Sequence, residues 1–130
     1  MLTSANDMSK LLIELMRTFE GESEKIISRE TLKLMLTRQA EVPSEVLGFP
    51  IGMGLGVFVD GEGDNVSFMH PGHSYPGTTY IILAFPGLGQ GMAMGVNGNK
   101  GDRLEIEAAS TLAEMYGWPS GDYYAEQAEE

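Results

Sequence analysis

His70-Pro71-Gly72-His73-Ser74-Tyr75 is the stretch of this sequence richest in reactive side chains, and it holds both histidines of the chain. A neutral imidazole can relay a proton or ligate a metal. Two histidines need at least one more ligand to hold zinc. The nearby acids Asp60 and Asp64 fall in a Gly- and Asp-rich turn, so no metal is expected. Ser74 beside His73 sets a hydroxyl next to a base, the pairing a serine nucleophile requires. No Gly-x-Ser-x-Gly elbow presents it, however, and no serine has lysine three residues on. A Ser-x-Asn triplet occurs at Ser4-Ala5-Asn6, where it opens a helix and reads as a cap. Gly52-x-Gly54-x-Gly56 lacks the lysine of a P-loop and a following helix, so it cradles no phosphate and no cofactor is expected. The bland reading of the histidine cluster is a polar loop bonded to the backbone.

These residues must be positioned by the elements around them. From Ser4 to Phe19, apolar residues at Met8, Leu11, Leu12, Leu15, Met16 and Phe19 make one helical stripe. Ser4 with Asp7 resembles a capping box, and Gly21 ends the helix. A second short helix starts at Ser28 with Leu32, Met35 and Leu36 on one face, and stops before Pro43. Glycines followed by Val57, Phe58 and Val59 predict one strand over 51–60. Further strands are expected over 65–69, 78–85 and 90–96, with His70–Gly77 as the loop between the second and third. The last helix spans about Asp102 to Tyr116, N-capped by Asp102 and ended by Gly117 and Pro119. Its expected inner face is Leu104, Ala108, Leu112 and Met115, with Tyr116 and Trp118 clamping it to the body. The fold class is therefore α+β: a four-stranded antiparallel sheet meander with two N-terminal helices and one C-terminal helix. Residues 1–119 form a single domain in this reading, and 120–130 an acidic, disordered tail.

Length and charge narrow the function classes. At 130 residues with 42% hydrophobic and 21% charged residues, the chain is sized and composed for one globular domain. It has no cysteine, which excludes disulfides, thiolate zinc sites and cysteine nucleophiles. The longest Gly-free apolar run, Tyr80–Phe85, is far shorter than the roughly 20 residues of a membrane-spanning helix, and the N-terminus has no signal-peptide pattern. The first 38 residues carry six bases and six acids; residues 39–130 carry two bases against thirteen acids. No lysine or arginine lies between Arg38 and Lys100, so nucleic acid and anionic membrane surfaces are not expected partners.

The ordered series of segments resembles the C-terminal part of the serine β-lactamase and penicillin-binding-protein-like family, which includes esterases and D-amino-acid peptidases. The likeness is carried by Leu2–Leu12, by Ser28–Thr37, and by Gly54-Leu-Gly-Val-Phe58, His70-Pro-Gly72, Ile81-Ile-Leu-Ala-Phe-Pro86 and Gly91-Met-Ala-Met-Gly-Val-Asn97, with a closing helix ending Tyr116-Gly-Trp-Pro119. It covers nearly all of residues 2–119. In that family a Lys-Thr-Gly or His-x-Gly triplet edges the active site. His70-Pro71-Gly72 is similar to it, in a loop to Gly77 one residue longer than usual. The resemblance implies that His70 orients substrate or assists proton transfer, with Gly72, His73 and Ser74 on the substrate side.

The family's nucleophile and base lie in a Ser-x-x-Lys, assisted by a Tyr-x-Asn or Ser-x-Asn, and this chain has neither in a matching position. The expectation is a C-terminal piece of a hydrolase, silent alone, that acts with the N-terminal remainder of its parent on a small-molecule or peptide substrate. The family's N-terminal strands complete the sheet beside its last strand. Without them, strand 90–96 would present an edge open to a second copy of the chain. The rival reading is a non-catalytic binding or interaction module using the His70–Gly77 loop, and a histidine metal site stands third.

Overall fold

A computed structural model describes residues 3–74, 76–98 and 100–119. The tail expected over 120–130 and Tyr75 lie outside the described residues. The first helix, α1 (Ala5–Glu20), forms where the apolar stripe predicts it. Ser4 Oγ accepts from the Asp7 N–H at 3.2 Å and donates to Asp7 Oδ2 at 3.0 Å, and Gly21 ends the helix in the left-handed conformation. Helix α2 (Arg29–Met35) is likewise capped by Ser28, whose side chain accepts from the Thr31 N–H.

The sheet is α+β as expected but has six antiparallel strands rather than four, in the order β1-β2-β3-β4-β5-β6. They are β1 (Ala40–Val42), β2 (Ile51–Met53), β3 (Phe58–Asp60), β4 (Ser67–Ser74), β5 (Thr78–Phe85) and β6 (Gln90–Val96). The single strand expected over 51–60 is a hairpin: Gly52 faces Val59 and Met53 faces Phe58. Glycine makes the difference. Gly56 turns the chain at φ +79°, and the Gly54 N–H closes the turn on the Val57 carbonyl at 2.8 Å. Gly54 also lies so close to the Met35 carbonyl that a Cβ would overlap it, and the Leu55 N–H donates to that same carbonyl at 2.9 Å. Strand β1 is short, exposed and without apolar alternation, which hides it in the Pro- and Gly-punctuated connection. A one-turn helix, α3 (Ser44–Leu47), follows it.

Strand β4 runs five residues beyond its expected end, through Pro71 and Gly72 to Ser74. Proline is tolerated because β4 is an edge strand there: β3 pairs only with Ser67, Phe68 and Met69.

Two apolar layers hold the sheet. On its front, Leu12 and Phe19 of α1 with Leu32 and Leu36 of the α2 region pack on Val59, Phe68 and Ala84. On its back, α4 (Gly101–Tyr116) sets Ala109 and Ala113 against Ile81, Leu83 and Met92. Each fully buried large side chain such as Phe68 or Leu83 contributes about 1.5–3 kcal/mol. Two expectations for α4 are corrected. Lys100, not Asp102, occupies the N-cap and makes no side-chain cap bond. The inward stripe is Gly101, Glu105, Ala109 and Ala113, while Leu104 and Met115 are exposed. The small residues let the helix approach the strands, and at Gly101 a Cβ would overlap Thr79 Oγ1. Trp118 does clamp the helix end. It is buried, packs at a tilt on the Phe85 ring with centroids 4.9 Å apart and donates from Nε1 to Gln90 Oε1 at 2.6 Å, with Tyr116 stacked on it at 6.4 Å. Among the described residues no helix is long and apolar enough to cross a membrane.

Candidate functional site

Because β4 is extended through Ser74, its side chains alternate between the two faces of the sheet. Phe68 belongs to the front layer and Met69 to the back layer, which fixes the phase. His70, Gly72 and Ser74 therefore face front, and Pro71 and His73 face back. The cross-strand partners agree: His70 opposes Ile82, Gly72 opposes Tyr80 and Ser74 opposes Thr78 on the front, while His73 opposes Thr79 on the back. Residues adjacent in sequence are thus parted by the pleat.

Two chemical pairings suggested by the sequence do not form. Ser74 and His73 face away from one another, so His73 is not placed to take the Ser74 proton. His70 shares the face of Ser74 but lies four residues away, about 13 Å at the rise of a strand. The two histidines also point to opposite faces, and among the described residues no cluster of three or more His, Cys, Asp or Glu side chains is arranged to hold a metal ion.

On the front face, His70, Ser74, Thr78 and Tyr80 line a cleft of about 690 Å³. Its far wall is the start of α1, at Ser4 and Met8, and its rim is the Gly56-Val57 turn. Thr3 at the helix start also borders it, so the cap that fixes α1 fixes one side of the cleft. Ile82 and Ala93 form an apolar floor. His70 and Ser74 are exposed.

Tyr80 is the residue of this cleft that sequence reading passed over. Its ring lies across Gly72, where any Cβ would overlap the phenol. The glycine of the His-x-Gly triplet thus makes room for an aromatic wall carrying a hydroxyl. Tyr80 sits in a run of strand formers, and only the register of β4 against β5 brings it to the triplet.

The third feature is backbone. From His70 to Ser74, β4 pairs with β5 on one side, and among the described residues no strand pairs with it on the other. The glycine turn at 54–57 ends β3 opposite Met69 and so opens this edge beside His70. An open edge offers N–H and C=O groups to an extended ligand.

Behind the same segment, Glu105 of α4 is buried at 5% exposure, facing Thr79 and His73. Burial raises its pKa above the ordinary carboxylate range; the Thr79 hydroxyl and His73 pull it part of the way back, and Asp102 pushes it up. Thr79 Oγ1 and Glu105 Oε1 are both buried without a hydrogen bond of normal geometry.

Compared with known proteins, the chain matches the family model described as Beta-lactamase over residues 1–116. No curated protein and no solved structure matches it.

Proposed function

The chain belongs to the β-lactamase family, and from that premise we propose that it carries the substrate-side half of a serine acyl-transfer site. The observation that carries this reading is the open edge of β4 from His70 to Ser74, alongside a cleft lined by His70, Ser74, Thr78 and Tyr80. The acyl portion of an amide or ester substrate lies along that edge and takes backbone hydrogen bonds, as an added strand would. His70 orients the substrate or passes a proton to the leaving group, Tyr80 walls the cleft over Gly72, and Ser74 borders the far end. His73, on the opposite face, has no contact with substrate in this arrangement.

The 130 residues hold no Ser-x-x-Lys, and in this reading the nucleophile comes from polypeptide outside them. That serine attacks the substrate carbonyl, the amine or alcohol departs with a proton, and water releases the acyl group. The groove along β6 is where such polypeptide would dock. Leu12, Ile13 and Met16 on one face and Leu112 and Tyr116 on the other flank its edge. Without that partner, the β6 edge is expected to pair with a second copy. Sedimentation would then show a mass that rises with concentration, and a constant monomer mass would refute the pairing.

The direct test is acylation. Exposed to a reporter penicillin or a fluorophosphonate, the chain alone should keep its intact mass, and an adduct should appear only when a Ser-x-x-Lys-bearing partner polypeptide is supplied. A stoichiometric adduct on a serine of this chain, Ser74 first, would overturn the division of the site. Continued silence with the partner present would favour the second reading, a non-catalytic binding module. That reading is supported by the placement of His73 on the face of β4 opposite Ser74.

A further inference from the structure

The acyl-transfer reading uses the front of β4 and leaves Glu105 on the back without a role. A carboxyl at 5% exposure with an oxygen lacking a hydrogen-bond partner is costly to keep. Its position is specific. Gly101, one turn earlier on the same stripe, lets α4 sit so close to the sheet that its first turn abuts Thr79 and Val96. Glu105 is thereby held over the Thr79–His73 cross-strand pair. The residues flanking His73 on β4 are Gly72 and Ser74, which face the cleft.

We propose that Glu105 is a positioning residue: from the back of the sheet, through Thr79 and His73, it sets the placement of Gly72, Ser74 and Tyr80 in the cleft on the front. The proposal rests on the reading of that cleft as the substrate site. Ionised Glu105 attracts the Thr79 hydroxyl and the His73 side chain, drawing the end of the β4–β5 hairpin toward α4; protonated Glu105 gives up that attraction. The titratable or charged groups facing it are His73 from β4 and Asp102 from its own helix. Strand β5 presents Thr79, its Tyr80 being on the front, and β6 has no titratable side chain. Because burial raises the Glu105 pKa above its ordinary value, the change falls at higher pH than it would for an exposed glutamate.

Nuclear magnetic resonance on the 130-residue chain tests this without requiring hydrolysis. The Glu105 carboxyl carbon is titrated together with the Gly72 and Ser74 amides and the Tyr80 ring. A transition in the front-face signals at the Glu105 midpoint, lost in Glu105→Gln, is the expected result. A second variant guards against misfolding. Thr79→Val should move the shared midpoint upward by removing the hydroxyl, and Thr79→Ser should restore it. Front-face signals that titrate unchanged in Glu105→Gln, or a midpoint indifferent to Thr79→Val, would overturn the proposal. A failed acylation experiment would refute the acyl-transfer reading and leave this coupling measurable, so the two failures are distinct.

Discussion

The two faces of β4 differ in how they treat polar groups. The front presents His70, Ser74 and, across Gly72, the Tyr80 hydroxyl to an open cleft, where water satisfies them until a ligand does. The back buries Thr79 and Glu105 under α4 with atoms left unpaired. One strand five residues longer than its sequence advertises produces both, because alternation sends odd residues to one environment and even residues to the other. The lesson is that a cluster contiguous in sequence need not be one site. His70 and His73, three apart, belong to different chemistry.

The strongest perturbation asks whether the two faces fail together. Phe68→Ala in front and Trp118→Ala behind should each cost about 3–5 kcal/mol in urea unfolding. A single transition in both variants would make the layers one cooperative unit. If Trp118→Ala instead melted α4 first, leaving the front intact, the coupling from Glu105 to the cleft would lose its physical basis.

Two glycines sharpen the contrast further. A side chain at Gly101 meets the buried Thr79 and the half-buried Val96, so Gly101→Val should cost about 1–3 kcal/mol by overpacking. A side chain at Gly72 meets the far end of Tyr80, which is 45% exposed and can swing aside. Gly72→Val should therefore cost less than about 1 kcal/mol while displacing the ring from the cleft. Thermal unfolding gives the first quantity, and the Tyr80 ring shifts report the second. Equal costs would mean that Tyr80 is as fixed as the back of the sheet.

Much of this was legible beforehand, for identifiable reasons. The α1 stripe and its Ser4 cap could be read because helix period and capping chemistry are local. His70-Pro71-Gly72 could be singled out by residue type. What stayed hidden depended on pairing partners distant in sequence. Pro71 and Gly72 look like a loop until β5 pairs with them, so the opposite directions of His70 and His73 were not visible. Glycines 54 and 56 looked like strand residues until β2 and β3 folded on each other. On α4 half of the expected face, Ala108 and Leu112, does pack part-buried against the core. Leu104 and Met115 are exposed and the deepest positions go to small residues, because close packing favours small residues over large ones. Glu105 was hidden by the same rotation.

Stability against pH should separate the faces next. Glu105 has a folded pKa above its unfolded value, so its contribution is fully present below the unfolded pKa and is lost as pH rises through the raised folded one. Relative to the wild type, Glu105→Gln should thus become progressively more favourable across that upward step and remain flat above it. Urea midpoints measured at intervals through the step would show the divergence. Parallel curves would mean that the carboxyl is effectively solvated, and the back would then resemble the front.

The smallest effects concern how the helices on the two faces begin. In front, Ser4 caps α1 and pairs with Asp7, whose pKa is lowered first by its hydrogen bond from Lys10 and then by that from Ser4. Behind, Lys100 leaves α4 without a side-chain cap. Ser4→Ala should cost about 1 kcal/mol, and Lys100→Ser should gain up to about 1 kcal/mol if its side chain reaches the first-turn amides. Asp7 contributes above its unfolded pKa and loses that contribution as pH falls through the lowered folded value, so the Ser4→Ala penalty should shrink in acid. Ser4 borders the cleft, whereas Lys100 adjoins Gly101 on the back. The first substitution should therefore also move the His70 ring signals, and the second should move those of Thr79. Effects reversed between the two faces would place the anchoring of the cleft in α4 rather than in α1.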